Sequence, residues 1–349
     1  MAEWGLTAKE GWQAFCDRSP VSRPEHHSLA TLRALGEDER GAYNLDRSIW
    51  HANLGPFKTP SITAIHAALE RLVRLNMCQR VGVRRGAVLE GPATVGKSTT
   101  LWTFGRQLHR ELIAAHGQLT PEGHEHIPVC YASLTGASTI KGLMAELCTF
   151  YNDPLPRRQT ADDLTERFGE LVRKCRTRLV VIDDLHFLRL WHDDGQRVND
   201  QLKYLQSVLP ATFLLCGIDL KGLGLFHDGH DQVASGRAGG AAAQNGRRLR
   251  HFRVKPFQRA EALSEGAFGV LVASIERELV LGRSEPGMLS DQADYLWRRC
   301  TGHIGSLMAL VAEGCELAIG DGAERLTRQV LDRVVIDEDA ETLYRRPAP

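Results

Sequence analysis

The apolar residues of this chain follow two spacings that alternate along the sequence. Short continuous apolar runs, typical of strands buried on both faces, occur at 87–90, 127–133, 179–183, 212–217 and 249–254. Between these runs apolar residues recur every three to four positions, which predicts helices at 97–116, 139–151, 161–175 and 196–209. Strands that alternate with helices in this way predict an α/β fold with a parallel five-stranded sheet.

The pattern changes on either side of this region. Residues 1–60 are mixed in character and contain several prolines, so we interpret them as an N-terminal extension with short helices. The α/β domain is expected at 61–256, with a glycine- and alanine-rich loop at 229–246. After Pro256 the strand signals stop, and helical spacing predicts an all-helical domain with a short tail at 257–349, its helices at 260–280, 290–299, 304–319 and 325–336.

The turn after the first predicted strand carries the most informative motif. Its glycines let successive backbone N–H groups point at phosphate oxygens, and the N-terminus of the next helix adds a favourable dipole. Lys97 is placed to reach the β- and γ-phosphates, and the Ser98 hydroxyl to ligate Mg²⁺. This context predicts an ATP site, over the alternative of a plain glycine-rich turn. The motif has the pattern GxxxxGK[ST], and its residues with the one that follows are Gly91, Pro92, Ala93, Thr94, Val95, Gly96, Lys97, Ser98 and Thr99.

Two carboxylates end the third predicted strand. Asp183 and Asp184 lie at its C-terminal end, where open α/β sheets bind their ligands. We predict that Asp183 holds Mg²⁺ through water and that Asp184 polarises the water that attacks the nucleotide. Many ATPases place a glutamate at the second position, and aspartate is one methylene shorter. The alternative for the pair taken alone is a strand that ends in solvated acids.

Composition and charge narrow the class of protein. The chain has 43% hydrophobic and 25% charged residues, as soluble globular proteins do. Its formal net charge is zero, so DNA binding would depend on local basic clusters. The eight cysteines form no CxxC pair, which argues against a cysteine zinc site. The chain begins without a signal-peptide pattern and has no apolar run near ~20 residues, so we expect a cytoplasmic protein without a membrane partner.

These motifs together resemble those of AAA+ ATPases, and in detail those of TniB/TnsC-type transposition ATPases. The resemblance lies within 48–335 and is carried by GPATVGKSTT, LVVIDDLHFL, RRLRHFRVKPF, WRRCTGHIGSLMALVAEGCELAI and IWHANLGPFKTPSITAIHAALERLV. It implies an AAA+ P-loop domain followed by a helical lid domain. It also implies ATP-dependent assembly of a homo-oligomer, a ring or a helical filament, on double-stranded DNA. Such an assembly regulates transposition by recruiting or activating a DDE-type transposase at the target.

The resemblance implies roles for further residues. An arginine from one subunit completes the ATP site of its neighbour, and the candidates by position are Arg247, Arg248 and Arg250. The alternative for these arginines is an ordinary basic strand edge. DNA would meet the segment after the second strand, where hydroxyls and a helix start suit phosphate contacts that do not depend on base sequence. The alternative there is a helix N-cap at Ser138 or Thr139. The implied DNA contacts are Ser133, Thr135, Thr139 and Lys141.

The sequence also departs from the family pattern. The lid segment 302–305 lacks the arginine often found there as a second sensor, and Arg298 or Arg299 is the alternative. With Asp184 in place of glutamate, slow hydrolysis is expected, as suits an assembly switch. Two other functions stay open: a helicase loader or replication-initiator ATPase, and an ATP-binding signalling or defence switch that does not contact DNA.

Overall fold

The structure is a computed structural model, and it describes residues 5–136, 139–154, 158–188, 194–220, 248–262 and 265–345. The chain divides into two compact units. The first comprises Met1–Arg18, Ile62–Ala93 and Lys97–Val254, and the second comprises Ser19–Ser61, Thr94–Gly96 and Lys255–Pro349. The segment predicted as an N-terminal extension therefore contributes to both units. The predicted loop at 229–246 lies outside the described residues.

The first unit is built on a parallel sheet of five strands, as the apolar runs predict. The strand order is β2-β3-β4-β1-β5, and each pair of neighbours is parallel. The middle strands are buried along their length because helices cover both faces of such a sheet. The strands are β1 (Gly86–Glu90), β2 (Val129–Ser133), β3 (Leu179–Asp183), β4 (Thr212–Gly217) and β5 (Leu249–Arg253).

The helices carry most of the remaining described residues. In chain order they are α1 (Lys9–Asp17), α2 (Leu29–Ala34), α3 (Glu37–Ala52), α4 (Pro60–Cys78), α5 (Lys97–His116), α6 (Ile140–Thr149), α7 (Ala161–Lys174), α8 (Asp194–Val208), α9 (Ala267–Glu278), α10 (Ala293–Cys300), α11 (Ile304–Gly320), α12 (Arg328–Leu331) and α13 (Glu338–Arg345). Local chemistry sets several of their ends. Thr160 and Asp163 form a reciprocal capping box at the start of α7, for example.

In the first unit, helix α1 packs against the sheet and against α5. The indole of Trp12 is 1% exposed and stacks on the Tyr131 ring, with centroids 5.7 Å apart. A Cβ atom at Gly105 would lie 2.8 Å from the Trp12 ring, so glycine is needed where α1 crosses α5. The carbonyl at the end of α1, on Cys16, accepts a hydrogen bond from Arg110 Nε at 2.6 Å.

The second unit has its own apolar core, formed by α9, α10 and α11. Helix α3 joins this core through a buried ion pair, in which Arg47 Nη1 lies 2.6 Å from Glu324 Oε2. Glu324 also accepts a hydrogen bond from Gly282 N at 2.8 Å. His51, on the same helix, accepts one from Val280 N at 3.1 Å. Helix α3, which precedes the P-loop in the chain, is therefore part of the second unit.

The helix predictions for the second unit need two corrections. The predicted helix at 260–280 is interrupted, because a short 3₁₀ turn, Arg259–Ala262, precedes Gly266, which caps α9. The predicted helix at 325–336 is wrong beyond Arg328–Leu331. There the carbonyls of Leu331 and Val334 each accept a hydrogen bond from the buried Arg299 guanidinium at 2.8 Å, and Leu331 O also accepts one from Val334 N at 3.2 Å, as in a turn.

Among the described helices, none by itself combines the length and hydrophobicity that a membrane crossing needs. One bent pair, Ser290–Cys300 with Ile304–Gly320, does so when its two helices are taken together.

Candidate nucleotide-binding site

The phosphate-binding motif forms a loop between β1 and α5, as its sequence predicts. Thr94 and Gly96 both have positive φ, 58° and 90°, which turns the backbone back on itself between strand and helix. Helix α5 begins at Lys97, so Ser98 and Thr99 lie in its first turn. The first N–H groups of a helix have no intrahelical acceptor, and helix starts bind anions for this reason.

Lys97 is held at the base of this loop. Its side chain is 9% exposed, and Nζ donates to the carbonyl of Pro92 at 2.5 Å. Burial lowers the pKa of Lys97, while the charges of Asp183 and Asp184 act in the opposite direction. The charges of both carboxylates thus act on the ammonium group. A phosphate could replace the single carbonyl that now accepts its hydrogen bond.

Asp183 ends β3 with its carboxylate held on both oxygens. The Tyr131 hydroxyl donates to Oδ2 at 3.0 Å, and the backbone N–H of Asp184 donates to Oδ1 at 2.9 Å. Asp183 is 2% exposed. The Cys216 thiol on β4 borders the same carboxylate. The pKa of this thiol lies well above its ordinary value, mainly because the thiol is buried and also because of the charge of Asp183. The Tyr131 hydroxyl on one oxygen and the backbone N–H on the other fix the plane of the carboxylate.

Asp184 occupies a different environment. Its backbone has φ 54°, a left-handed conformation that turns the chain sharply out of β3. The Ser133 hydroxyl donates to Asp184 Oδ2 at 3.0 Å, because Ser133 and Asp183 are paired across β2 and β3. The hydroxyl of Ser133, which the sequence resemblance assigns to DNA, is therefore bonded to the acid of the nucleotide site.

The donor chemistry of this site fits Mg²⁺. Within the described ranges, no group of three or more His, Cys, Asp or Glu residues could hold a metal ion. Mg²⁺ does not need such a cage, because it takes one or two protein oxygens and completes its shell with phosphates and water. The Asp183 carboxylate and the Ser98 hydroxyl are hard oxygen donors of that kind.

The candidate arginines lie at or beside the edge strand β5. Arg247 lies outside the described residues. Arg248 is half-buried, and its carbonyl accepts a hydrogen bond from Gly86 N at 3.1 Å. Arg250 is exposed, and its guanidinium lies 5.2 Å from the centroid of the Phe252 ring. Because β5 is at the margin of the sheet, Arg250 is accessible to another molecule.

The segment after β2 has a clear local structure. Thr139 is the N-cap of α6, and its hydroxyl accepts a hydrogen bond from Gly142 N at 3.1 Å, so the capping alternative applies to this residue. Residues 137–138 lie outside the described residues, including the other cap candidate, Ser138. Thr135 and Lys141 are exposed on either side of this gap, and Lys141 lies in the first turn of α6.

Arg299 has a structural position in the lid core, contrary to its assignment as an alternative second sensor. Its side chain is 2% exposed and bonds to Glu341 and Asp332 as well as to two carbonyls. Arg298 forms an ion pair with Asp294 one helical turn away, at 2.8 Å. Both guanidinium groups thus have partners within the second unit.

Tyr131, whose hydroxyl donates to Asp183, is not predicted from the sequence as a site residue. The residue sits in the apolar run of β2 and reads there as a core aromatic. Only its register against β3, in which Tyr131 pairs with Val181, brings the ring beside the strand that ends at Asp183. No local pattern carries that information.

The sheet order, the loop after β1 and the acidic end of β3 define the AAA+ P-loop fold, with a parallel five-stranded sheet and a helical C-terminal region. Residues 82–218 match the sequence profile of a family described as an AAA domain. No curated protein matches this sequence. The predicted fold class is confirmed, and the finer TniB/TnsC-type resemblance stays a prediction from the sequence.

Three of the solved structures of similar fold are proteins of Aeropyrum pernix and Pyrobaculum aerophilum. The ORC2 protein of Aeropyrum pernix, described in ADPNP–ADP complexes, is 15% identical, with 86% of this chain and 72% of that chain covered and a TM-score of 0.56. The ORC1 protein of the same organism in complex with DNA is 13% identical, with 84% and 68% covered and a TM-score of 0.58. Cdc6p of Pyrobaculum aerophilum is 16% identical, with 86% and 74% covered and a TM-score of 0.54. At these identities the likeness is one of fold.

Proposed function

We propose that this protein is an AAA+ ATPase that binds ATP with Mg²⁺ and assembles on double-stranded DNA. The observation that carries the proposal is the grouping of Lys97, Asp183 and Asp184 at the carboxyl end of the parallel sheet. A buried ammonium, two carboxylates whose charges act on it, and the start of helix α5 together match what a nucleoside triphosphate with its metal requires.

Each residue then has a distinct role. The loop from Gly91 to Gly96 cradles the phosphates, and Lys97 leaves the Pro92 carbonyl to contact them. Ser98 and Asp183 would hold Mg²⁺, which neutralises phosphate charge when bound. Asp184 orients the attacking water, and the Ser133 hydroxyl restrains its carboxylate. The short reach of aspartate and this restraint both favour slow hydrolysis.

Assembly and DNA binding are supported by residues away from the phosphate loop. Exposed arginine at the sheet margin, Arg250 above all, is suited to reach the nucleotide site of a neighbouring subunit. Lys141 at the start of α6 is suited to a phosphate of DNA, with α6 adding its N-terminal dipole. The similar fold of an ORC1 protein whose structure contains DNA also supports this proposal.

Within this class we propose regulation of transposition, with a DDE-type transposase as the partner. The support is the sequence resemblance across 48–335. The second candidate is a replication-initiator ATPase, favoured by the similar fold of the ORC and Cdc6 proteins. A transposase pulled down with the ATP-bound, DNA-bound protein supports the first. A helicase captured in its place supports the second.

The nucleotide proposal is tested with Lys97→Ala. Alanine removes the charge that contacts the phosphates without disturbing the apolar core, so ATP affinity should fall at least about tenfold while the circular dichroism spectrum is retained. In sedimentation with duplex DNA, the wild type should form large assemblies only with ATP, and the variant should not. Equal ATP affinity of the two proteins would refute the site. Nucleotide-independent assembly, or a wild type that ignores DNA, would refute the assembly proposal and favour a signalling switch.

A further inference from the structure

Tyr131 links the acid of the nucleotide site to a part of the protein that no ATPase motif includes. Its hydroxyl donates to Asp183 Oδ2 at 3.0 Å, whereas Asp183 Oδ1 is bound by a backbone N–H group. The backbone donor is present whatever the side chains are. The Cys216 thiol also reaches this carboxylate, but a thiol is a weak donor. The orientation of the carboxylate therefore depends mainly on a side-chain hydroxyl from the neighbouring strand.

The phenol is suited to remain a donor. Tyr131 is 4% exposed, and its hydroxyl carries the only proton that a phenol and a carboxylate can share in this bond at neutral pH. Since the Asp183 carboxylate can only accept, the bond has a fixed direction. A fixed donor leaves the remaining lone pairs of the carboxylate pointing along set directions.

The Tyr131 ring is positioned in turn by helix α1. Trp12 stacks on it with an interplanar angle of 12°. Trp12 cannot shift toward α5, because its ring already fills the space that the missing side chain of Gly105 provides. Helix α1 is itself tied to the sheet unit at both ends. Lys9 Nζ lies 2.5 Å from Glu125 Oε2, and Arg110 Nε donates to the Cys16 carbonyl.

We propose that Tyr131 is a positioning residue for Asp183, and that helix α1, through Trp12, holds the tyrosine in place and so sets the affinity of the site for Mg²⁺. The proposal rests on the proposed function, because it assigns Asp183 to the metal. Partners that hydrogen-bond to metal ligands commonly change metal affinity 10- to 100-fold when removed, which is roughly the effect expected here. It also gives the N-terminal helix a regulatory role, since displacement of α1 would loosen the metal site without touching the phosphate loop.

The test uses Tyr131→Phe in the full-length protein, a change that keeps the ring and its stacking and removes only the hydroxyl. A fluorescent ATP analogue is titrated with Mg²⁺, and Mn²⁺ binding is followed by electron paramagnetic resonance in the presence of ATP. The half-saturating metal concentration should rise about tenfold or more, whereas affinity for the analogue in EDTA should not change. Tyr151→Phe is the matched control, because it removes another buried tyrosine hydroxyl, one that is bonded to Thr177 at 2.8 Å.

The part played by α1 is tested with Trp12→Leu, alone and combined with Tyr131→Phe. Trp12→Leu should raise the half-saturating metal concentration, and the double variant should add nothing beyond Tyr131→Phe, because both act through one hydroxyl. Phe168→Leu, in a fully buried position of α7, controls for loss of core packing.

If the wild type fails to bind the analogue, the proposed function is wrong. If it binds and Tyr131→Phe has wild-type metal affinity, the positioning role is wrong. Additive effects in the double variant would overturn the link to α1.

Discussion

At the scale of single residues, the two carboxylates that follow β3 differ in what holds them. Asp183 is buried and bonded on both oxygens, by a tyrosine hydroxyl and a backbone N–H group. Asp184 leaves the strand in a left-handed conformation and is bonded to the Ser133 hydroxyl. The buried, fixed carboxylate of Asp183 suits a metal ligand. The Asp184 carboxylate, bonded to the Ser133 hydroxyl, suits an acid that exchanges this partner for water when nucleotide binds.

This difference predicts a ranking of two isosteric variants. Asp183→Asn should abolish Mg²⁺-dependent ATP turnover, because a neutral amide is a weaker Mg²⁺ ligand than a carboxylate and places an NH₂ group opposite one of the two donors. Asp184→Asn should lower kcat by about 10²-fold, the usual contribution of a general base, and leave the Mg²⁺ dependence unchanged. Steady-state hydrolysis over a range of Mg²⁺ concentrations measures both. Greater loss of turnover in Asp184→Asn would mean that the roles are reversed.

The residues that the sequence could identify are those whose partners are close in the chain. Lys97 and Ser98 belong to one contiguous motif, and Asp183 and Asp184 end one apolar run. The contacts of Tyr131 and Ser133 depend on the register of β2 against β3, which no spacing within either strand encodes. Arg299 reads as a helix-face charge until its acceptors, the carbonyls of Leu331 and Val334, are known.

At the scale of elements, the strands were predictable, and two helices were predicted only in part. Each apolar run became a strand within two residues at either end, because continuous burial on both faces leaves a strong compositional signal. The segment 325–336 has helical spacing, yet only Arg328–Leu331 is helical. A buried guanidinium from another helix bonds to the carbonyls of Leu331 and Val334, and no spacing within 325–336 encodes this tertiary contact.

The crossing of α1 over α5 predicts opposite effects for two alanine substitutions. Gly105→Ala should lower the free energy of unfolding by about 1–3 kcal/mol, because its Cβ would lie 2.8 Å from Trp12 and overpacking outweighs the helical gain of up to ~1 kcal/mol. Gly142→Ala, in α6, is the matched control. Its Cβ would have only Thr139 Oγ1 within 4 Å, at 3.6 Å, so stability should rise by a few tenths to about 1 kcal/mol. Urea denaturation measures both, and a stabilising Gly105→Ala would contradict the close approach.

Helix α3 makes the stability of the protein depend on pH. Burial first, and then the charge of Arg47, lower the pKa of His51 from 6.5 to about 4, while Glu324 acts in the opposite direction. The unfolded chain therefore binds the proton more readily. Stability should be highest above pH 6.5 and fall by up to about 3 kcal/mol as the pH drops to about 4.

Denaturation of the wild type and of His51→Gln between about pH 7 and pH 4.5 measures this contribution. Glutamine keeps an acceptor for Val280 N but does not titrate in this range, so the variant should lose less stability on acidification. Buried His109, whose pKa is also lowered to about 4, contributes its own share in both proteins. Identical pH profiles would exclude His51 as a source of the dependence.

At the scale of the whole molecule, the net charge is zero and provides no overall attraction to DNA. The affinity for DNA would therefore depend on how many basic side chains contact the phosphates and where they lie. A single subunit offers few cations to a duplex, so its binding should be weak and sensitive to salt. Many subunits assembled on one duplex would multiply those contacts through effective concentration. Cooperative assembly that requires ATP and tolerates any DNA sequence is the expected behaviour.

A charge reversal at Lys141 tests whether this residue contacts DNA. Lys141→Glu should weaken DNA association and reduce its dependence on salt concentration, without changing ATP affinity, because the residue lies at the start of α6 and outside the phosphate loop. Lys174→Glu makes the same charge change at an exposed lysine at the end of α7 and should have little effect. Fluorescence anisotropy at two salt concentrations distinguishes them. Equal losses from both variants would point to net charge in place of a specific contact.

The ion pair between Arg47 and Glu324 limits how this chain can be divided or exchanged. A fragment that began at 257 would keep Glu324, 5% exposed, and lose the guanidinium that neutralises it. An unpaired buried charge costs about 3–5 kcal/mol, a large part of the roughly 5–15 kcal/mol that stabilises an ordinary domain. The residues from 257 onward are therefore not expected to fold stably without α3. Any exchange of this unit between proteins, in the laboratory or in evolution, would have to carry α3 from upstream of the ATPase core.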